Sequence, residues 1–370
     1  MTDAIDWLEN QTEFPKFYWR SRDGDFEFVT AGLSVLETGI TVGGHAFMPD
    51  CPPKDALWDG FPRQTFFSPS HIYRCRESVA LQELGERRPL FCTDLPDRSA
   101  WETLVSDALE EIRKGTFEKV VLARRSSLLI ETQPLVLLRS LRQQSRRATV
   151  FMLQLSPSVA FMGATPERLY KRKGRRVMVD ALAATRPRGN SPEEDVRLAQ
   201  ELVNHPKDKR EFALVKESIQ ELMAPLCVSW SWSGHDRVVT TPTVQHLYNA
   251  FEAQLKEDVS DNDLLEVLHP TAAIGGKPRK AALDFIAKNE PFERGWYASP
   301  IGYAFDDEAE FAVAIRSALI KSGQMHLFAG TGIVEGSDAA KEWHELEHKI
   351  ELWKRLDSAT PHGAATSSIS

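Results

Sequence analysis

Apolar positions recur along this chain with two periods, and the period changes where the elements change. From Trp101 to Lys114 they fall at 101, 104, 105, 108, 109 and 112, the spacing of a helix with one buried face. Gly115 follows as a helix stop. Ala339 to Leu356 repeats the pattern, with Trp343, Leu346, Ile350 and Trp353 in one stripe. Pro192 to Leu222 reads as two helices broken at His205-Pro206, because proline interrupts the helical hydrogen bonds. The second of these presents Phe212, Val215, Ile219 and Leu222 as its buried stripe, with Glu211 at the edge. Leu135–Arg142, Leu264–Leu268 and Pro278–Asn289 are further helical stretches.

Alternation marks the strands. Val120–Ala123, Thr149–Leu155, Val159–Gly163, Arg168–Lys171 and Arg176–Leu182 are strand candidates. From Thr149 onward the connections are tight, which predicts antiparallel pairing of successive strands. Val228–Trp232 alternates, and Arg237–Thr240 is placed to pair with it. Val244–Lys256 suits a strand or a helix equally. The last quarter reads as strand, turn at Asp306–Glu308, strand, turn at Ser322-Gly323, strand. There Phe311, Val313 and Ile315 share one face, and Ala312, Ala314 and Arg316 share the other. Residues 1–98 hold short strand-like runs such as Asp25–Val29 between proline-marked loops. Hairpins of strands with irregularly placed helices indicate an α+β fold with antiparallel sheets. One domain over residues 1–357 is expected, with 1–98 less motif-rich, 99–357 bearing the motifs, and 358–370 a flexible tail.

Charge narrows the function. The 370 residues include 45 basic and 53 acidic side chains, a net −8, so no global footprint for nucleic acid exists. The basic run Lys171–Arg176 reads as an exposed turn between strands. No apolar run approaches the roughly 18–20 residues of a membrane span. The acidic first thirteen residues do not form a secretory signal. Four cysteines without a C-x-x-C pair argue against zinc ribbons and disulfide scaffolds. A cytoplasmic protein is expected.

Several residues carry candidate chemistry beside a plainer reading. Glu345 and Lys349 share a helix face, as any surface ion pair does. The helix follows Gly330-Thr331-Gly332-Ile333-Val334, read as a strand end running into a glycine-rich turn whose amides can face an anion. Glu211 is either solvated or turned toward a metal; with Glu345 it would suit Mg²⁺. Lys119 opens a strand; facing a pocket, it would be desolvated toward neutrality and serve as a general base. Glu167, between two strands, is either an acid aimed at a leaving oxygen or an ordinary turn residue. Gly275-Gly276-Lys277 fails as a phosphate loop because Thr271 and Pro278 stand where glycine and Ser or Thr are required. His344 and His348 lack the glutamate of a zinc-hydrolase motif and read as exposed.

Taken in order, the motifs resemble the chorismate-utilising enzymes, the family of anthranilate synthase component I. The resemblance rests on Phe117-Glu118-Lys119-Val120-Val121-Leu122-Ala123-Arg124, Thr165-Pro166-Glu167-Arg168-Leu169 and Thr185-Arg186-Pro187-Arg188-Gly189. It continues through Val244-Gln245-His246-Leu247, Leu268-His269-Pro270-Thr271-Ala272-Ala273-Ile274-Gly275-Gly276 and Arg294-Gly295-Trp296-Tyr297-Ala298-Ser299-Pro300-Ile301-Gly302. It ends with Gly330-Thr331-Gly332-Ile333-Val334 and Glu342-Trp343-His344-Glu345. It covers about residues 100–356 strongly and the first hundred loosely. It implies a two-lobed α+β fold like that of anthranilate synthase component I, with antiparallel sheets at the core and helices outside. Members that add ammonia typically carry Gln at the position of Lys119 and Thr at that of Ala273. This chain therefore resembles the water-using members, most closely those that form isochorismate.

The resemblance implies that Lys119 takes a proton from water attacking C2 of chorismate and that Glu167 protonates the departing C4 hydroxyl. It implies Mg²⁺ held by Glu211 and Glu345. Thr185, His246, Ala273, Tyr297, Arg316, Gly330, Gly332 and Lys349 would contact substrate. Salicylate formation by further loss of pyruvate is the alternative activity, and a non-catalytic chorismate-binding protein a more distant one. A monomer acting without an amidotransferase subunit, nucleic acid or membrane is expected. Three positions depart from the family pattern: Ala184 where glycine is usual, Phe212 where histidine follows the glutamate, and Lys209 where arginine is common.

Overall fold

The structure, a computed structural model, describes residues 2–359 except 25, 37–38, 76–91, 146–147 and 241–243. Helix α1 (Ala4–Glu9) precedes strands β1 (Lys16–Arg20), β2 (Glu27–Ala31), β3 (Ile40–His45), β4 (Gln64–Phe67), β5 (His71–Cys75) and β6 (Thr93–Leu95). Then come α2 (Arg98–Arg113), β7 (Lys119–Leu129), α3 (Pro134–Gln144), β8 (Thr149–Ser156), β9 (Val159–Thr165), β10 (Arg168–Lys173) and β11 (Arg176–Pro187). Next are α4 (Pro192–Asn204), α5 (Pro206–Met223), β12 (Cys227–Trp232), β13 (Arg237–Thr240), β14 (Val244–Leu255), α6 (Asp261–Leu268), β15 (Gly276–Lys277) and α7 (Arg279–Asn289). The chain closes with β16 (Pro300–Phe305), β17 (Glu308–Val313), β18 (Ser317–Lys321), β19 (Gln324–Ile333) and α8 (Ala339–Ala359).

The strands form two antiparallel sheets. The first runs β15-β7-β19-β18-β9-β8-β1-β2-β5 with β6 beside β7, and the second β12-β14-β11-β10-β17-β16-β3-β4 with β13 beside β14. The α+β expectation is met. One large apolar cluster runs from Ala4 to Leu356 and includes residues of both sheets and of the helices packed on them. The stripe Trp343, Leu346, Ile350 and Trp353 lies in it. On α5, Met223 rather than Leu222 completes the buried face. Among the described residues no helix is long and apolar enough to cross a membrane.

Several strand expectations change. β8 pairs with β9 and β10 with β11, but β9 and β10 lie in different sheets. The link is Pro166-Glu167, and proline has no N–H to continue a ladder. Nor does the strand through Phe311 reach Arg316: β17 ends at Val313, and Arg316, at φ +53°, turns the chain into the first sheet at β18. Val244–Leu255 is a strand, whose register with β11 runs from Arg176 opposite Gln254 to Pro187 opposite Val244. β12 and β13 both pair with β14 and not with each other. Gly330–Gly332 is not a turn. It lies inside β19, opposite Ala123–Val121 of β7. Helix α8 extends over residues 358 and 359, which the tail expectation had included; 360–370 lie outside the described residues.

Candidate active site

The two sheet crossings and the facing ends of β7, β11, β14 and β19 converge on one cavity. Its lining includes Glu167, Thr185, Glu211, His246, Ala273, Tyr297, Arg316, Gly330, Gly332 and Lys349. These ten residues, brought from nine separate stretches of sequence, are all candidates named above. Of the remaining two, Glu345 touches Thr331 and Lys349 at the cavity wall. Lys119 is wholly buried and contributes no surface to the cavity. Its Nζ lies 3.0 Å from Glu211 Oε1, so burial comes with an ion-pair partner rather than desolvation alone.

The glycines of β19 have a steric reason. A Cβ at Gly332 would lie 2.4 Å from Glu211 Oε1 and 2.8 Å from Lys119 Cε. A Cβ at Gly330 would lie 2.8 Å from the Tyr297 hydroxyl. Both positions bring backbone against working side chains, which only glycine permits.

Glu167 sits at the first crossing with its carboxyl buried. Burial pushes it up to about 8, and the nearby Asp180 charge adds to the effect; Lys119, Lys349 and Arg316 oppose it. At neutral pH it therefore holds a proton. His246 on β14 is buried and held well below its ordinary value, first by burial and then by the Arg316 and Lys349 charges. Its Nδ1 lies 3.2 Å from the Ala184 carbonyl and 3.2 Å from Thr185 Oγ1, and its Nε2 lies 3.3 Å from Arg316 Nη2. A neutral ring with its proton on Nδ1 satisfies the carbonyl and leaves Nε2 to accept from the guanidinium. Burial also lowers Arg316 to about 10 and raises Tyr297. Tyr297 stacks on Phe328 at 5.3 Å.

The acidic wall comes from α5 and α8. Glu342, Glu345 and Lys349 share one helix face, at spacings of three and four. Lys349 Nζ lies 2.6 Å from Glu345 Oε1 and donates to the Gly330 carbonyl at 2.8 Å. Lys207 Nζ, from the first turn of α5, lies 2.5 Å from Glu342 Oε1. Burial pushes Glu345 up, but Lys349 and Lys207 outweigh it and hold the carboxyl at about 2. Glu342 is raised, first by burial and then by Glu345. Glu342, Lys207 and Thr331 were not singled out from sequence. The face shared by Glu342, Glu345 and Lys349 was legible in the spacing; the approach of Lys207 from another helix was not.

The other features fall as follows. His344 is exposed. Of the run Lys171–Arg176 only Gly174-Arg175 is the turn, with Lys171–Lys173 ending β10 and Arg176 opening β11; Lys171, Arg172, Lys173 and Arg175 are answered by Asp23, Asp261, Glu308 and Glu257. Gly276-Lys277 pairs with Val120-Lys119 as a short strand, not a phosphate loop. Ala184 adopts φ +58° at a break in the β11–β14 register, so the departure from glycine puts a Cβ where an L-residue is strained.

Residues 80–356 match the family model described as "Chorismate binding enzyme". This chain belongs to the chorismate-binding enzymes. It is 41% identical over 292 residues to isochorismate synthase of Catharanthus roseus, an alignment covering 78% of this chain and 50% of that protein. The chain thus spans about half the length of this plant relative. It is 32% identical over 394 residues to isochorismate synthase MenF of Escherichia coli, covering 94% and 89% of the two chains. The solved structure of that menaquinone-specific enzyme superposes with a TM-score of 0.83 at 27% identity, over 96% of this chain and 91% of that one. Anthranilate synthase component I of Streptococcus pneumoniae shares the fold, at a TM-score of 0.72 and 21% identity over 96% and 86%. The expected family fold is therefore borne out.

Proposed function

We propose that this chorismate-binding enzyme converts chorismate to isochorismate with water as nucleophile, and that it acts without an ammonia-supplying subunit. The carrying observation is Glu167, a cavity carboxyl that keeps its proton to about pH 8 within electrostatic reach of Lys119. Lys119 takes a proton from water as its oxygen bonds to ring C2. Both ring double bonds shift around the ring, the C4–O bond breaks, and Glu167 gives its proton to the departing hydroxyl, which leaves as water. Each group serves as acid in one direction and base in the other. For Lys119 to accept a proton its ion pair with Glu211 must loosen in the working complex. Arg316, Lys349 and the Tyr297 hydroxyl supply donors for substrate carboxylates, and charge-assisted contacts from Arg and Lys are the stronger ones.

Mg²⁺ belongs to this proposal, with Glu211 and Glu345 as its protein ligands. The donor set fits: it is all oxygen, and Glu342 is raised first by burial and then by the negative charge of Glu345, a crowding that a cation relieves. Among the described residues no three His, Cys, Asp or Glu side chains are arranged as a ready cage. That agrees with an ion that takes one or two carboxylates and otherwise substrate and water. When bound, it would supply positive charge to a substrate carboxylate.

Product analysis from chorismate tests the proposal. Isochorismate is expected with Mg²⁺, little product without it, and no effect of ammonium. Abundant salicylate and pyruvate without a partner lyase would move the assignment to salicylate synthesis, and an ammonium-dependent product would overturn it.

A further inference from the structure

The turn that carries Glu167 is held from all sides. Its own N–H donates to Thr165 Oγ1 at 3.1 Å, and its carbonyl accepts from the Val313 N–H at 3.0 Å. The neighbouring Arg168 N–H lies 3.4 Å from Asp180 Oδ2 on β11. On the other side, Arg22 Nη1 donates to the Pro166 carbonyl at 2.9 Å. The same nitrogen is ion-paired with Asp180 Oδ2, and Arg22 Nη2 lies 3.2 Å from the Tyr248 hydroxyl. Tyr248 in turn donates to Asp180 Oδ1 at 3.0 Å.

Arg22 comes from the loop joining β1 and β2, which belong to the first sheet, whereas Asp180 and Tyr248 stand on the second. Ser21 of the same loop donates to Glu310 Oε1 at 3.2 Å, and Asp23 lies 3.1 Å from Arg168 Nη1. The loop therefore plugs into the second sheet beside the crossing. None of these groups lines the cavity.

We propose that Arg22 and Asp180 are positioning residues for Glu167, a clamp by which the N-terminal hairpin fixes the turn of the acid and sets its charge environment. The clamp rests on the reading of Glu167 as the proton donor. The guanidinium reaches the Pro166 carbonyl and Asp180 through Nη1 and the Tyr248 hydroxyl through Nη2, a planar two-nitrogen spread that the single nitrogen of an ammonium does not reproduce. A buried carboxylate beside a carboxylic acid opposes its ionisation. The other charged groups acting on Glu167 are Lys119 on β7, Lys349 on α8 and Arg316 at the second crossing, all of opposite sign to Asp180.

The test is the pH dependence of kcat and KM for chorismate with Mg²⁺, in the full chain and in Asp180→Asn, Asp180→Glu, Arg22→Lys and Glu167→Gln. Asp180→Asn moves the alkaline limb of kcat/KM down by about one pH unit, and Asp180→Glu restores it. Arg22→Lys, on a side chain only 13% exposed, lowers kcat by about tenfold with KM little changed. An unshifted limb in folded Asp180→Asn, or an unchanged kcat in Arg22→Lys, overturns the clamp. Should Asp180→Asn fail to fold, Arg22→Lys decides alone. Glu167→Gln separates the two readings. Loss of turnover there with silent clamp variants sinks the clamp alone; near-normal turnover with the limb intact sinks the acid and the clamp together.

Discussion

Thr331 offers one hydroxyl to two carboxylates, lying 2.6 Å from Glu342 Oε2 and 3.0 Å from Glu345 Oε1. A hydroxyl has a single proton, so it fully satisfies only one of them. The crowded negative charge is where added Mg²⁺ should act. Mg²⁺ is expected to raise the melting temperature of the substrate-free protein, by about 2.7 kcal/mol of stability at a hundredfold excess over its Kd. Glu345→Gln should remove most of that shift and raise the Mg²⁺ concentration needed for half-maximal turnover. An unchanged Mg²⁺ response in Glu345→Gln excludes Glu345 as a ligand.

Lys119→Ala should lower kcat by about 10²–10⁴-fold, the usual worth of a general base. Substrate binding in the presence of Mg²⁺, read by calorimetry, should survive. A variant that turns over at the wild-type rate removes Lys119 from the mechanism.

Gly332→Ala should be costly despite adding one methyl group. The new carbon meets Glu211 Oε1 at 2.4 Å and Lys119 Cε at 2.8 Å, so the ion pair must move. A loss of about 1–3 kcal/mol is expected from overpacking, with turnover falling by more than tenfold. Chemical denaturation and steady-state kinetics check both; a variant matching wild type in each contradicts the close approach.

Glu167 links activity and stability to pH. Its folded value of about 8 stands above its ordinary 4.5, so the folded state binds its proton more tightly than the unfolded chain. The contribution is fully present below about 4.5 and is lost as pH rises through about 8. kcat/KM should therefore fall on the alkaline side near pH 8. The substrate-free melting temperature should drop between pH 6 and 9 in wild type and drop less in Glu167→Gln. Parallel melting curves for the two proteins would remove the buried acid from the account.

Ala184→Gly should stabilise. Ala184 occupies φ +58°, where an L-residue costs roughly 1–2 kcal/mol relative to glycine. The extra freedom of glycine in the unfolded chain returns about 0.4–1 of that. A small rise in melting temperature is expected, with turnover little changed. A lower melting temperature would show that the methyl group's packing outweighs the strain.

The helices were legible because their signal is local. The stripe of α8 and the break at His205-Pro206 need only the 3.6-residue period and the missing proline N–H. Motif order identified the family and the residue types of the cavity. Strand pairing was legible only where neighbours in sequence are neighbours in the sheet, as in β8–β9 and β10–β11. It failed at Pro166-Glu167 and at Arg316, where the chain leaves one sheet for the other, and at Gly330–Gly332, read as a turn although it still pairs with β7 near the end of β19.

By itself, then, the sequence determined the α+β class, the helical faces and which side chains carry acid, base and charge, because period and residue type are properties of short stretches. Only the tertiary structure decided that Lys119 is paired with Glu211 beneath Gly332. It also decided that Asp180 and Arg22 lie around the turn of Glu167, and that Lys207 from α5 meets Glu342 from α8. Those relationships depend on which backbones approach across two sheets, and burial there sets the charge state of each group. No local pattern encodes that distance or that loss of water.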